Sequence, residues 1–277
     1  MPSRTPQGRG LGWTVDRPDH RDYLYTPSTA RGTVALPPRV DLRPGMPPVY
    51  DQGRIGSCTA NAIAGAWEYT ERRQFGRSVT PSRLGIYFCE RALRGQAGSD
   101  SGAQIRDGFR VIHTTGVWPE TAWPYDDTPA DPTTGVWETD PSTGVVPRPA
   151  QQPPAADYVI GKSERSTVYE RVTRDLQHIR GCLAAGWPVV FGFTVYESFE
   201  SGEVARSGDA PMPSPSEQVL GGHAVTMVGY DDDRGRVLVR NSWGSGWGDG
   251  GYFTLPYAYL TTRGLPADFW TLRAVTV

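Results

Sequence analysis

The hydrophobic pattern of this chain changes from helical to strand-like spacing at Pro188. Before that residue, apolar and small side chains recur at the spacing of a helix face, which predicts helices at 58–75, about 80–93, about 103–114 and 165–185. After it, short apolar or alternating runs predict strands at 189–195, 224–230 and 236–240. Because the helices come first and the strands follow, the sequence predicts an α+β fold with a helical lobe and a strand-rich lobe.

Local signals set the expected ends of the helices. The second helix is expected to begin with Thr80 as its N-cap and Pro81 at its first position, and to stop near Gly95. Gly116 is expected to end the third helix. Residues 126–156 are rich in Pro, Thr, Asp and Gly and lack an apolar period, so they are expected to form a long surface loop or insertion.

The composition excludes several kinds of partner. Of the 277 residues, 28 are Lys or Arg and 30 are Asp or Glu, for a net charge of -2, so no basic surface for nucleic acid or an anionic membrane is expected. The chain starts with polar residues and has no apolar run of about 18 residues, which predicts a soluble, cytoplasmic protein with no membrane partner. Its three cysteines are expected to be reduced, and no metal-ligand spacing is present, so neither a metal nor a cofactor is expected.

Four residues that lie far apart in the sequence supply the groups needed to attack an amide carbonyl with a thiolate. They are Gln52, Cys58, His223 and Asn241. Cys58 begins a predicted helix, whose dipole and a nearby His223 imidazolium both stabilise a thiolate, so an ion pair is the expected resting form. Asn241 can orient the His223 ring, and the Gln52 amide can act as an oxyanion donor together with a backbone N–H. Each residue alone is more often structural, but together they favour a catalytic site.

The motifs around these residues extend the pattern. Gly-Ser precedes Cys58, Asn-Ser-Trp-Gly begins at Asn241, and Gly-Gly-Tyr ends at Tyr252. From about residue 38 to the C-terminus the chain thus resembles the papain-like family of cysteine peptidases, in a bacterial-looking branch. The resemblance implies a helical lobe and a β-barrel-like lobe with the active site in the cleft between them. It implies a cysteine endopeptidase without a cofactor, which hydrolyses a peptide or protein substrate through a thioester on Cys58 with His223 as base and acid.

Four further positions bear on the shape of the cleft. The family has a half-cystine where this chain has Ile55 and an aromatic residue where it has Thr59, changes that affect packing but remove no catalytic group. The resemblance implies that Gly102 binds the substrate backbone, although an ordinary turn explains this glycine as well. Gly222 places neither a charge nor a bulky side chain beside the catalytic histidine. By analogy with the family, this suggests that the second substrate-binding subsite of the cleft is apolar.

The predicted domain boundary lies at residue 36. Residues 1–36 form an N-terminal extension, and residues 37–277 form the catalytic domain, mainly helical over about 37–160 and mainly strands over about 161–277. The extension is too short and too rich in Pro and Gly to fold alone, yet it carries apolar side chains that free tails seldom expose. These are Trp13, Tyr23, Leu24 and Tyr25. We expect them to pack on the core, and we favour a permanent strap over a short, removable propeptide.

Two other functions are compatible with parts of the pattern. A transpeptidase or ligase on the same scaffold passes the acyl group to an amine instead of water, and the sequence does not separate it from a peptidase. A catalytically silent binding module keeps the fold but not the chemistry, which the intact set of catalytic groups disfavours.

Overall fold

The computed structural model describes residues 3–4, 8–27 and 35–277, with the backbone alone for residues 3–4. The helices are α1 (Cys58–Phe75), α2 (Arg83–Ala92), α3 (Ile105–Thr114), α4 (Ala155–Gly161), α5 (Leu176–Ala184), α6 (Gly202–Ser207) and α7 (Tyr257–Thr261). The strands are β1 (Ser3–Arg4), β2 (Gly10–Leu11), β3 (Arg39–Asp41), β4 (Ser166–Arg171), β5 (Val189–Tyr196), β6 (Val219–Asp231), β7 (Arg236–Arg240), β8 (Tyr252–Pro256) and β9 (Pro266–Val275). Short 3-10 helices cover Arg43–Gly45, Arg148–Ala150 and Glu197–Glu200. The predicted α+β class is confirmed.

The strand-rich lobe is built on a seven-stranded antiparallel sheet. Its order is β4-β9-β5-β6-β7-β8, and β3 pairs with β6 outside this path. The register places His223 of β6 opposite Phe193 of β5, and Met227 opposite Val239 of β7. Because β6 is paired on both sides and its central side chains are buried, the backbone that carries His223 is fixed within the sheet.

Helix α1 packs between this sheet and the other helices of the first lobe. Its Ala and Gly residues let β6 approach closely, so that the Thr226 hydroxyl donates to the Ala62 carbonyl at 3.0 Å. Gly76 ends the helix with a φ of 67°, in the left-handed region that favours glycine. The helix therefore has the bounds that the sequence predicts, and its first residue is Cys58.

Two predictions of secondary structure were wrong. Residues 165–185 form strand β4 followed by helix α5, and not one helix. Strand β4 forms by pairing with β9, about a hundred residues later in the chain, and local periodicity does not encode such a pairing. In α2 the N-cap is Ser82 rather than Thr80, because the Ser82 hydroxyl accepts the Gly85 N–H at 3.0 Å.

Residues 126–156 form mostly irregular surface structure, but one turn occurs in them twice. The sequences are Asp-Pro-Thr-Thr-Gly-Val at 131–136 and Asp-Pro-Ser-Thr-Gly-Val at 140–145. In both turns the Asp carbonyl accepts the Gly N–H at 2.8 Å, and the Asp N–H donates to the Val carbonyl at 3.0 Å. Gly135 and Gly144 have φ values of 71° and 69°, which explains why glycine recurs there. The insertion thus contains a repeated turn that was not predicted.

The N-terminal extension is docked over part of its length. Trp13 and Tyr25 are buried, whereas Tyr23 and Leu24 are 81% and 61% exposed. The expectation that all four of these side chains pack on the core was therefore half correct. Residues 28–34 lie outside the described residues, so the boundary at residue 36 stays a prediction.

The cysteines form no disulfide in this structure, as the sequence predicts. Cys58, Cys89 and Cys182 are all free and buried. Within the described part of the chain, no helix has the length and apolar character needed to cross a membrane.

Candidate active site

The four predicted catalytic residues meet where the two lobes join. Cys58 begins α1, Gln52 lies in the loop before that helix, His223 lies in β6, and Asn241 directly follows β7. All four are buried. The backbone N–H of Ala224 in β6 hydrogen-bonds to the Cys58 thiol, so the sheet reaches the first turn of the helix.

Asn241 holds the His223 ring in one tautomer. His223 Nε2 lies 2.8 Å from Asn241 Oδ1, and the same oxygen accepts the Ser242 backbone N–H at 2.8 Å. Because that oxygen is an acceptor, Nε2 carries the proton and Nδ1 of the neutral ring is the basic nitrogen. Nδ1 has no hydrogen-bond partner among the described residues. Trp243 stacks on the ring with centroids 4.8 Å apart and shields the bond to Asn241 from water.

Burial keeps the thiol and the imidazole neutral in this structure. It raises the pKa of Cys58 to about 11, although backbone N–H groups, including that of Gly12, act to lower it. Burial also lowers the pKa of His223 to about 4, with a further small lowering by the charge of Arg9. In this covered state both shifts oppose the thiolate–imidazolium pair that the sequence predicts as the resting form.

Gln52 joins the loop before α1 to the loop after β7. Its Nε2 donates to the carbonyls of Gly10 and Ile55, both at 3.0 Å. Its Oε1 accepts the Ser242 hydroxyl at 2.6 Å, and its backbone N–H donates to the Ser242 carbonyl at 2.8 Å. Ser242 thus fixes the direction in which the Gln52 amide points. This role of Ser242 was not predicted, and its available signal in the sequence is the Ser of Asn-Ser-Trp-Gly.

Residues 10–14 of the extension cross the cleft and cover Cys58. The Gly12 N–H bonds to the thiol. A Cβ added at Gly12 would lie 1.8 Å from the Gly56 carbonyl oxygen, and one at Gly10 would lie 2.3 Å from that of Ile55. The segment can approach this closely only because both residues are glycine. The position of this segment in the cleft was not predicted, although Gly-Leu-Gly-Trp at 10–13 carries the signal.

Both glycines predicted to bind substrate lie against this covering segment. The Trp13 N–H donates to the Gly222 carbonyl at 3.0 Å. On the opposite edge the Ala103 N–H donates to the Gly12 carbonyl at 2.7 Å, and Trp13 pairs with Ala103 in parallel. Gly102 has a φ of 68°, and a Cβ there would lie 2.1 Å from the Gly12 carbonyl oxygen. Gly102 thus makes room for the segment, while Ala103 provides the hydrogen bonds.

Thr59 makes a polar contact behind the nucleophile. Its hydroxyl donates to the Glu90 carboxyl at 2.8 Å. Burial raises the pKa of Glu90 to about 8, so this carboxyl is largely neutral at pH 7. The departure at Thr59 therefore replaces aromatic packing by a hydrogen bond to a buried acid.

Comparisons with known proteins agree with this geometry. Residues 36–262 match the model of the papain family of cysteine proteases. A peptidase C1-like protein of Acanthamoeba polyphaga mimivirus is 38% identical over 97% of this chain and 88% of its own length. A cathepsin B-like protein of Giardia intestinalis is 30% identical over 85% of this chain and 74% of its own. The crystal structure of xylellain, a cysteine protease from Xylella fastidiosa, has a TM-score of 0.88 at 42% identity and covers 100% of this chain and 98% of that one.

The chain belongs to the papain family of cysteine proteases. It is a cysteine peptidase, a hydrolase whose substrates contain peptide bonds. The predicted two-lobed fold and peptidase activity are confirmed, and the relatives do not favour the ligase or the silent binding module.

Proposed function

We propose that Cys58 is the nucleophile of this peptidase, that His223 is its base and acid, and that Asn241 orients His223. The observation that carries the assignment is the 2.8 Å bond from His223 Nε2 to Asn241 Oδ1, since it leaves Nδ1 as the basic nitrogen. Gln52 Nε2 and the Cys58 backbone N–H are the proposed oxyanion donors. The bond from Ser242 to Gln52 Oε1 supports this role, because it aims the amide N–H₂ into the cleft.

The reaction begins when a peptide takes the place of residues 10–14. Water and peptide dipoles then reduce the cost of charging the site, so the thiol proton moves to His223 Nδ1. The Cys58 sulfur bonds to the substrate carbonyl carbon, and the carbonyl oxygen becomes an oxyanion. The imidazolium gives its proton to the amide nitrogen as the C–N bond breaks, which leaves a thioester. The imidazole next takes a proton from water as the water oxygen bonds to the thioester carbon. The C–S bond then breaks, which releases the acid product and regenerates the Cys58 thiolate beside protonated His223.

We further propose that the extension inhibits the enzyme while it remains docked, with Gly102 and Gly222 on the edges that a substrate would use. The Gly10 carbonyl accepts a hydrogen bond from the Gln52 side-chain amide, and the Gly12 N–H donates one to the Cys58 thiol. Neither group is then available to a substrate. This differs from the strap favoured by the sequence, because the docked residues block the groups that do chemistry.

Substituting Gly12 tests this inhibition in the full chain. In Gly12→Ala the new methyl group collides with the Gly56 backbone, so the covered state is disfavoured and Cys58 should be alkylated by an epoxide inhibitor at least about tenfold faster. Gly202→Ala is the matched control, since nothing lies within 4 Å of a Cβ there. Unchanged alkylation and hydrolysis in Gly12→Ala would contradict the proposed inhibition.

The assignment of the nucleophile has its own test. Cys58→Ala should abolish hydrolysis of a peptide library, whereas Cys89→Ala, which changes a buried cysteine of α2, should retain it. Mass spectrometry of the products with an added amine acceptor separates hydrolysis from transfer. The proposed partner is a peptide or protein segment, and a cytoplasmic location stays a prediction of the sequence.

A further inference from the structure

The side chain of Trp13 fills a pocket beside the proposed catalytic residues. It is 8% exposed, and its indole ring lies against Gly192 and Gly222. A Cβ at Gly192 would lie 1.9 Å from Trp13 Cε2, and one at Gly222 would lie 2.8 Å from Cε3. The space, which we call the indole pocket, thus exists because two strand positions lack side chains. It is bounded by Gly192, Gly222 and Asp268.

The position of the indole pocket links it to the reaction. The Trp13 N–H donates to the carbonyl of Gly222, the residue before His223. Gly12, the preceding residue of the segment, contacts the Cys58 thiol. The residue whose side chain fills the indole pocket is therefore the direct neighbour of the residue that contacts the Cys58 thiol.

Asp268 forms the polar end of the indole pocket. Its Oδ2 accepts the Trp13 indole N–H at 3.2 Å and the Asp16 backbone N–H at 2.7 Å. The residue is 5% exposed and has a φ of 58°, the one positive φ of a non-glycine residue among those described. Such backbone conformations cluster at active sites and ligand contacts, which makes Asp268 a candidate for a role in binding.

Departure of residues 10–16 leaves Asp268 Oδ2 without either N–H donor. Leaving a buried acceptor without a donor costs free energy. A substrate that supplies an N–H to Asp268 Oδ2 should therefore bind more tightly than one that does not. The charge of Asp268 keeps a partner, because Arg171 Nη1 lies 3.5 Å from its Oδ1. Because Arg171 already provides a cation, the group that best replaces the lost donor is a neutral N–H on a large flat side chain.

We propose that Asp268 and Gly192 determine specificity in this peptidase, and that the preferred substrates are peptides that place tryptophan in the indole pocket. This proposal rests on the proposed function of Cys58 and His223. Phenylalanine fits the same walls but leaves Asp268 Oδ2 without a donor, and arginine adds a cation beside Arg171. Leucine fills only part of the space that the indole ring occupies.

The test uses the full chain with Trp13→Ala, which empties the pocket. Peptides in which each position in turn carries Trp, Phe, Leu or Arg are compared by kcat/KM. One position should favour Trp over Phe by at least about tenfold, because Phe leaves the buried Asp268 oxygen without a donor. Equal rates for Trp and Phe, or a preference for Arg or Leu, would overturn the proposal.

Two additional changes in the Trp13→Ala chain assign the preference to its residues. Asp268→Gly suits a positive φ and removes the carboxylate, so the Trp to Phe ratio should fall to about one. Gly192→Val adds bulk where the three atoms nearest to a Cβ all belong to the Trp13 indole, so cleavage of both aromatic peptides should fall at least about tenfold while peptides with Ala in the pocket are still cleaved. A Trp to Phe ratio that Asp268→Gly leaves unchanged, or cleavage of aromatic peptides that Gly192→Val leaves unchanged, would overturn the assignment. Asp268→Asn, which preserves the side-chain shape, should lower the ratio if the glycine variant does not fold.

Binding separates this inference from the catalytic assignment. Calorimetry with the chain carrying both Trp13→Ala and Cys58→Ala should give a lower Kd for the Trp peptide than for the Phe peptide. If the double variant binds the Trp peptide selectively but the Trp13→Ala chain, which retains Cys58, hydrolyses no peptide, the catalytic assignment is refuted and the indole pocket is supported. Hydrolysis without selectivity for Trp would refute the indole pocket alone.

Discussion

The docking of residues 10–16 should weaken as the pH rises from 5 to 7.5. Asp16 is buried at the end of this segment, where burial and then the negative charge of Asp268 raise its pKa from 3.8 to about 6. Hydrogen bonds from Trp270 and the backbone N–H of Arg106, and the charge of Arg171, act in the opposite direction without cancelling this rise. Opening the segment returns Asp16 to solvent and to its ordinary pKa.

The sign and size of the effect follow from these two values. A carboxyl whose pKa is raised on docking binds its proton more tightly when docked, so docking strengthens as the pH falls through 6 and weakens as it rises. The proposed ion pair of the open site and the neutral pair of the covered site both hold one proton, so Cys58 and His223 add little over this range. The docking constant should therefore be about tenfold smaller at pH 7.5 than at pH 5, or about 1.4 kcal/mol.

Hydrogen exchange measures this constant at the segment itself. The Trp13 amide, bonded to the Gly222 carbonyl at 3.0 Å, reports opening once its rate is corrected for the intrinsic effect of pH. Asp16→Asn removes the titrating group and should abolish most of the change. Burial also raises the pKa of Asp268, which accounts for any remainder of the same sign. Protection that is constant or rises with pH, or an equal change in Asp16→Asn, would refute the reasoning.

Three further outcomes are expected. Asn241→Ala should retain more activity than His223→Ala in peptide hydrolysis, because it releases the ring without deleting the base; equal losses would mean that Asn241 does more than orient. Ser242→Ala should lower kcat by about tenfold with little change in KM, because Gln52 loses the bond that aims its amide; a change in KM alone would assign Ser242 to binding. Thiol titration of the denatured, unreduced protein should find three free thiols, and one thiol would indicate a disulfide.

The sequence alone determined the helices and strands whose signals are local. The small residues and the glycine stop of α1 fix that helix from Cys58 to Phe75, and short apolar runs predict β5 and β7. The identities and order of the motifs also determined which residues meet in the cleft, since the two lobes follow one another along the chain. The helices and strands depend on neighbours within a few residues, which a sequence pattern records, whereas the meeting of the four distant catalytic residues was inferred from the resemblance of their motifs to the papain-like family.

Tertiary structure decided what occupies the cleft and which charges its groups carry. Strand β4 exists because it pairs with β9, and the neutral state of Cys58 follows from its complete burial under Gly12. The bond from Trp13 to Asp268 joins residues 255 positions apart, and no local pattern in either segment predicts it. Burial and long-range pairing depend on the whole fold, so the covered site and its indole pocket appear only when the lobes and the extension are assembled.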